Sequence, residues 1–305
     1  MIIKKPKFWD NKNIISKLIS FILLPFTIPI IFNNFFFNFF NKFKTKRIMS
    51  ICVGNIYLGG TGKTPTAIKL FEILSKFKKK IVIGKKFYQS HNDEILLLKK
   101  KTKLLVGKSR LEILNKAIKN NKDIIIFDDG LQDRNIYYNI RIVCFDALSW
   151  IGNGYLIPSG PLREKLNSIK KFDAVFIKNS EKPNKNLINT IKKINPKIKI
   201  FNSKYKILNI NKFNLSKKYI MFSGIGNPNN FSKLLKKNKF KIISETSFPD
   251  HYNYKKNNIL KIINKANKLK AKIITTEKDY VKIPKIYQKK IDYLNIDLEI
   301  DNQKN

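Results

Sequence analysis

Apolar positions along the chain change rhythm after about forty residues. Residues 14–40, IISKLISFILLPFTIPIIFNNFFFNFF, are apolar with few interruptions. The strictly apolar core, 18–32 with Ser20 and Thr27 as mild exceptions, is shorter than the roughly 18–20 residues of a spanning helix and carries Pro25 and Pro29. Lys4, Lys5, Lys7, Lys12 and Lys17 precede it as they would a signal peptide, but no small-residue cleavage site follows. Asn-Phe alternation and a basic stretch from Lys42 to Arg47 come next instead. The pattern predicts an interfacial or uncleaved anchoring segment.

From Arg47 onward, short β-branched runs alternate with helical periodicity. Strands are expected at 48–53, 80–83, 123–127, 141–145 and 174–177. Helices are expected at 65–77, where Ala67, Ile68, Phe71 and Leu74 recur at helical spacing, and at 111–118. Strand and helix in alternation imply a largely parallel sheet with helices on both faces. Residues 181–216, rich in Lys, Asn and Pro, read as a linker with one strand at 198–201. The rhythm then resumes, with strands at 219–223, 241–245 and 272–276 and helices at 230–237 and 256–269, enough for a smaller α/β unit. The expected organisation is a hydrophobic segment over 1–45, a core over 46–180 and a smaller α/β domain with its linker over 181–305. The sequence shows no internal repeat.

Composition changes this picture little. The 305 residues carry 62 Lys+Arg against 21 Asp+Glu, a formal charge of +41. Lys, Asn, Ile and Phe are over-used throughout, including plain surface stretches such as 76–80, so a global drift of composition explains the charge. The excess suits an anionic membrane surface. No basic patch interleaved with aromatics marks a nucleic-acid footprint, so no nucleic-acid partner is expected. Cys52 and Cys144 lie in separate apolar runs and read as buried small hydrophobes, not as a disulfide or zinc framework.

The segment 53–65, VGNIYLGGTGKTP, carries most of the chemistry. A buried strand runs into Gly59, Gly60, Thr61, Gly62, Lys63 and Thr64, and a helix is expected to open at Pro65. Glycines let backbone N–H groups turn toward phosphate oxygens, and the helix N-terminus adds positive potential. Lys63 reaches β- and γ-phosphates, and the Thr64 hydroxyl ligates Mg²⁺. The strict P-loop pattern has glycine where this chain has Tyr57. A phosphate loop also predicts an acid at the end of a second apolar strand, and IIIFDDG supplies Asp128 and Asp129. The expected fold is therefore P-loop NTPase-like, and ATP and Mg²⁺ are the expected cofactors.

Six segments together resemble the tetraacyldisaccharide 4'-kinase family, the lipid A kinases of Gram-negative bacteria. They are VGNIYLGGTGKTP (53–65), DDGLQ (128–132), GNGYLIPSGPLRE (152–164), FSGIGNP (222–228), PDHY (249–252) and TTEKD (275–279), in the family's order. The resemblance implies ATP-dependent phosphorylation of the 4'-hydroxyl of a tetraacyldisaccharide 1-phosphate, giving lipid IVA. It implies a lipid-linked disaccharide substrate and a location on the cytoplasmic face of the bacterial inner membrane, with 14–40 as an anchor or membrane-dipping helix. It casts Asp93 as the catalytic aspartate that accepts the sugar hydroxyl proton or orients that hydroxyl, with His251 paired to it. Asp128 and Asp129 would serve Mg²⁺, Glu164 would be a further metal contact, and Arg163 would neutralise phosphate charge. His91 matches no family position.

Besides Tyr57 in the strict P-loop pattern, the chain departs from the family's pattern at three places. They are Lys85 (in Gly-Lys-Lys-Phe for Ser-Arg-Gly-Tyr), Asn92 for glycine, and Asp133 for histidine. A lysine at 85 keeps the charge and loses the bidentate fork. The rival reading is a membrane-anchored P-loop NTPase of another class, a nucleotide-driven switch or metallochaperone, which gives no reason for PDHY and TTEKD.

Overall fold

The computed structural model describes residues 6–11, 13–36, 42–88, 92–178 and 185–301. Lys4, Lys5 and Lys12, residues 37–40 of the apolar stretch, His91 and residues 181–184 of the expected linker lie outside the described residues. The chain forms two compact units. One holds residues 5–87, 101–204 and 298–305; the other holds 1–4, 88–100 and 205–297.

The larger unit opens with two short helices, α1 (Ile14–Ile22) and α2 (Ile28–Phe36), joined by a 3₁₀ turn at Leu24–Thr27 that carries Pro25 near its start. They bend by 57° at this break, and no single helix among the described residues is long and apolar enough to cross a membrane. Their polarity is inside out. The buried residues of α1 are Ser16 and Ser20, and α2 buries none. Ile14, Leu18, Phe21, Phe32 and Phe35 face outward instead. Hydrogen bonds hold the segment to the loop 151–163: Asn153 donates to the Ser20 hydroxyl, Ser159 to the Ser20 carbonyl, the Trp9 indole to the Pro158 carbonyl and Asn34 to the Arg163 carbonyl.

Along the chain follow β1 (Met49–Gly54), α3 (Lys63–Ser75), β2 (Ile81–Lys86), α4 (Asn92–Lys101), which belongs mostly to the smaller unit, β3 (Leu104–Gly107), α5 (Arg110–Lys119), β4 (Ile124–Asp128), β5 (Ile140–Asp146), β6 (Ala174–Lys178), α6 (Lys185–Ile194) and β7 (Lys199–Ile207). With the last strand of the chain, β12 (Ile296–Ile300), these strands form one sheet in the order β12-β7-β6-β5-β1-β4-β2-β3. Every neighbouring pair from β3 to β7 is parallel. A parallel sheet needs crossovers and covers both faces, which is why these strands are apolar at nearly every position. One face packs Cys52, Phe127, Val143, Phe145, Val175 and Ile177 against Ile113, Leu114 and Ala117 of α5 and Leu187 and Ile191 of α6. On the other face Cys144 meets Thr66 of α3 at 3.7 Å. Both cysteines are free and buried, and burial pushes the Cys144 thiol up to about 12.

The smaller unit carries most of α4 and a four-stranded parallel sheet of order β11-β10-β8-β9. Its elements are β8 (Lys218–Ser223), α7 (Pro228–Lys237), β9 (Lys241–Ser247), α8 (Lys256–Lys268), β10 (Lys272–Thr276), α9 (Glu277–Tyr280), α10 (Lys285–Gln288) and β11 (Asp292–Leu294). Tyr219, Phe222, Ile259 and Ile274 are fully buried here.

Two sequence expectations change. The stretch 181–216 is more than a linker with one strand, since it contains α6, whose Leu187 and Ile191 are buried one turn apart beneath a lysine-rich exterior. The P-loop helix begins at Lys63, two residues before Pro65, because left-handed Gly62 (φ 90°) caps it and Pro65 sits in the first turn, where no N–H partner is needed.

Phe127, fully buried in the central β4, tests this core. Phe127→Ala is expected to destabilise the larger unit by roughly 3–5 kcal/mol, read as a lowered urea midpoint.

Candidate active site

In the larger unit the predicted phosphate-binding residues collect at the carboxyl ends of the parallel strands. β1 and β4 run side by side with Val53 opposite Asp128. The Asp129 N–H donates to the Val53 carbonyl at 2.8 Å, and Asp129 itself is left-handed (φ 69°). The loop after β1 is braced from within: the buried Asn55 amide donates to the Tyr57 and Gly59 carbonyls and to the Thr61 hydroxyl. The Tyr57 ring lies beside Gly59 and packs with Leu156 and Leu162, while its hydroxyl donates to Asp10 at 3.0 Å.

Thr64 and Asp128 are joined, the Thr64 hydroxyl donating to Asp128 Oδ2 at 2.9 Å. Lys85 reaches the same oxygen at 2.8 Å, with both side chains buried. The lysine that stands for the family's arginine thus sets its positive charge against Asp128. Asp128 Oδ1 is buried without a hydrogen-bond partner. Asp129 faces Arg163 at 3.5 Å and Lys63 at 3.9 Å. Burial pushes its pKa up, yet Lys63, Arg163, Lys85 and Arg110 outweigh burial and hold the carboxyl at about 2. Glu164 accepts from Gln132 at 2.7 Å, and burial raises its pKa. Among the described residues no three histidine, cysteine or carboxylate side chains converge as a metal cluster. Asp128, Asp129 and Glu164 accordingly stand in three separate contacts.

Arg110 was not legible as a site residue. Its Nε donates to the Asp129 carbonyl at 2.9 Å and its Nη1 meets Asp133 at 3.0 Å. It clamps the left-handed turn that aims Asp129, and Asp133, a departure from the family, is its counter-charge. The Ser-Arg-Leu-Glu start of α5, with Ser109 as N-cap and Glu112 in its first turn, was the available signal.

The smaller unit brings together Asp93 and His251, 158 positions apart in sequence, with His251 Nδ1 at 2.8 Å from Asp93 Oδ1. Asp93 lies in the first turn of α4, which starts at Asn92, and His251 is left-handed (φ 58°). Burial raises the pKa of Asp93, but the His251 hydrogen bond, Lys278 and Lys282 hold it at about 2. An ionised carboxylate only accepts, so Nδ1 carries the proton. Asp93 Oδ2 is buried without a hydrogen-bond partner, with Lys278 and Lys282 each 3.6 Å away.

Those two lysines also escaped the sequence reading. Thr276 caps α9 and bonds Asp279, and Asp279 in turn accepts from the Gly224 N–H and the Tyr254 hydroxyl. Lys282 rests 2.9 Å from Asp279, and Lys278 3.1 Å from Asp250. The TTEKD, FSGIGNP and PDHY segments therefore meet as one support around Asp93.

Two predictions follow from these charges. Asp93 and Asp129 have folded pKa values near 2 against an ordinary 3.8, so the stability they contribute is present above about pH 4 and is lost as pH falls toward 2. Denaturant midpoints measured across that window should fall, and less steeply in Asp93→Asn. Arg110→Met leaves Asp133 and the Asp129 carbonyl without their cation, and should cost roughly 3 kcal/mol in urea unfolding. Adding Asp133→Asn should recover part of it.

The description of tetraacyldisaccharide-1-P 4'-kinase fits the chain over residues 26–305. The chain is 46% identical to the tetraacyldisaccharide 4'-kinase of Pelagibacter ubique over 311 residues, covering 100% of this chain and 96% of that one. It is 33% identical over 324 residues to the protein of the same name from Rickettsia akari, covering 97% and 93%. Its fold matches a crystal structure of the "apo" form of LpxK from Aquifex aeolicus in complex with ATP. The TM-score is 0.67, with 23% identity and coverage of 93% and 96%. Matched along nearly its whole length, the chain belongs to the tetraacyldisaccharide 4'-kinase family.

Proposed function

We propose that the chain transfers the γ-phosphate of ATP to the 4'-hydroxyl of a tetraacyldisaccharide 1-phosphate, giving lipid IVA in lipid A synthesis. The observation that carries the reading is the Asp93–His251 contact. A nucleotide switch or metallochaperone has no need of a carboxylate and a histidine assembled apart from its phosphate loop, whereas a kinase needs a group for its acceptor.

The loop amides of 59–64 and Lys63 bind the β- and γ-phosphates, and Arg163 offsets the charge that develops on them. Asp93 orients the acceptor hydroxyl through Oδ2, an acceptor that makes no hydrogen bond within the protein. A carboxylate held near 2 is a weak base, so it takes the proton late, once the new P–O bond has acidified the hydroxyl; a loose transition state asks no more. His251 keeps Asp93 aimed, and Lys278 and Lys282 keep it ionised.

Mg²⁺ fits this set. Thr64 and Asp128 offer hard oxygen donors, and Asp128 Oδ1 is an unpartnered buried acceptor. These two would hold the ion, with Asp129 and Glu164 as further candidate ligands. Bound there, it neutralises charge on the phosphate oxygens.

The outward apolar faces of α1 and α2 suit a membrane surface, with lysines attracted to anionic lipids. They support a location at the cytoplasmic face of the inner membrane, beside the lipid substrate of this reading. The reading does not require the helix pair to span the bilayer.

Purified protein given ATP and a disaccharide 1-phosphate lipid should yield a bisphosphorylated product. Asp93→Ala should lose turnover by about a hundredfold or more while its ATP affinity stays unchanged. Undiminished turnover would remove Asp93 from the chemistry, and ATP hydrolysis that ignores the lipid would favour the switch.

A further inference from the structure

The ends of β5 and β6 carry a buried ion pair that the chemistry above does not use. Asp146 closes β5, Lys178 closes β6, and the parallel ladder sets them opposite each other. Lys178 Nζ lies 3.0 Å from Asp146 Oδ2, with the side chains 7% and 2% exposed. Asp146 Oδ1 accepts the Leu148 N–H at 3.0 Å, which fixes the carboxylate in its own turn. The same lysine ammonium donates to the carbonyl oxygen of Gly60 at 3.0 Å.

That last contact falls on the phosphate loop. A loop that receives an anion presents N–H groups to it, and a carbonyl turned inward sets partial negative charge against the ligand. Each carbonyl of the loop therefore needs a partner elsewhere. Asn55 takes those of Tyr57 and Gly59, and Thr66 takes that of Gly62 through both its N–H and its hydroxyl. The Gly60 carbonyl goes to Lys178. Gly60 has no side chain to restrict its rotation. Because the peptide unit is planar, fixing that carbonyl also fixes the Thr61 N–H, which donates to the Gly59 carbonyl at 3.0 Å and closes the turn of the loop.

We propose that Lys178, braced by Asp146, is a positioning residue for the nucleotide, holding the Gly60 carbonyl out of the phosphate cradle and so setting the affinity for the triphosphate. The inference rests on the nucleotide-binding role proposed for 59–64. Lys178→Met should raise the ATP dissociation constant and the KM for ATP by about tenfold or more, the scale of one charge-assisted hydrogen bond. The KM for the lipid should stay within about twofold, since nothing here touches the acceptor. Lys178→Arg keeps a donor and should restore much of the affinity.

Lys178→Met alone strands a buried carboxylate and can unfold the unit, so the deciding protein is the full chain with Lys178→Met and Asp146→Asn together. It removes both charges while keeping the turn at Leu148. Equilibrium binding of ATP and thermal midpoints are read on it and on wild type. A folded double variant with weakened ATP binding supports the proposal, and one that binds ATP as wild type overturns it. A wild-type chain that binds no ATP overturns the nucleotide role of 59–64 and this inference with it.

Discussion

The parallel pairing of β1 with β4 governs the nucleotide half of this protein. It sets Val53 beside Asp128, so one strand end feeds the glycine loop while its neighbour delivers the acid that meets Thr64. In a parallel sheet all strands finish at the same edge, and side chains from β1, β2, β4, β5 and β6 gather there without any contact in sequence. Lys85, Asp128, Asp146 and Lys178 reach that edge from four different strands. A slip of one residue in the register would turn Asp128 into the packed face and bring Phe127 to the loop.

The same logic of remote support recurs around Asp93. An acid with only a histidine beside it would sit near its ordinary pKa or above it in a buried setting. Here TTEKD supplies Lys278, Lys282 follows it three residues later, and Asp250 and Asp279 anchor the two ammonium groups. The result is a charge network in which the second oxygen of Asp93 is buried without a hydrogen-bond partner. Polar networks of this kind are expensive to leave half satisfied, which explains why Thr276, Tyr254 and Gly224 all serve Asp279.

How much of this the sequence disclosed depended on residue type. Glycines, the Asp-Asp step and the apolar strands were legible because each has a narrow physical meaning at its position. The strand at Leu104–Gly107 and the helix at Asn92–Lys101 were not, since one is only four residues long and the other is half lysine and acid on its surface. The helix at Lys185–Ile194 was hidden by the same bias. Lysines were the hardest to read. With 62 basic residues in the chain, nothing local separates Lys85, Lys178, Lys278 or Lys282 from a solvated surface lysine. Their burial is a property of the strand ends and loops that close over them. Tyr57, by contrast, looked like a defect in the phosphate loop and proved to pack with Leu156 and Leu162.

The inside-out polarity of α1 has a consequence for how the protein finds its acceptor. Its Ser20 bonds to the loop 151–163, so docking α1 leaves Ile14, Leu18 and Phe21 exposed, and that surface stays available to lipid. A chain held by such a face meets its lipid by lateral diffusion in a plane instead of by search through a volume. Encounter then depends on how crowded the leaflet is with acceptor, and much less on how many protein molecules the cell contains.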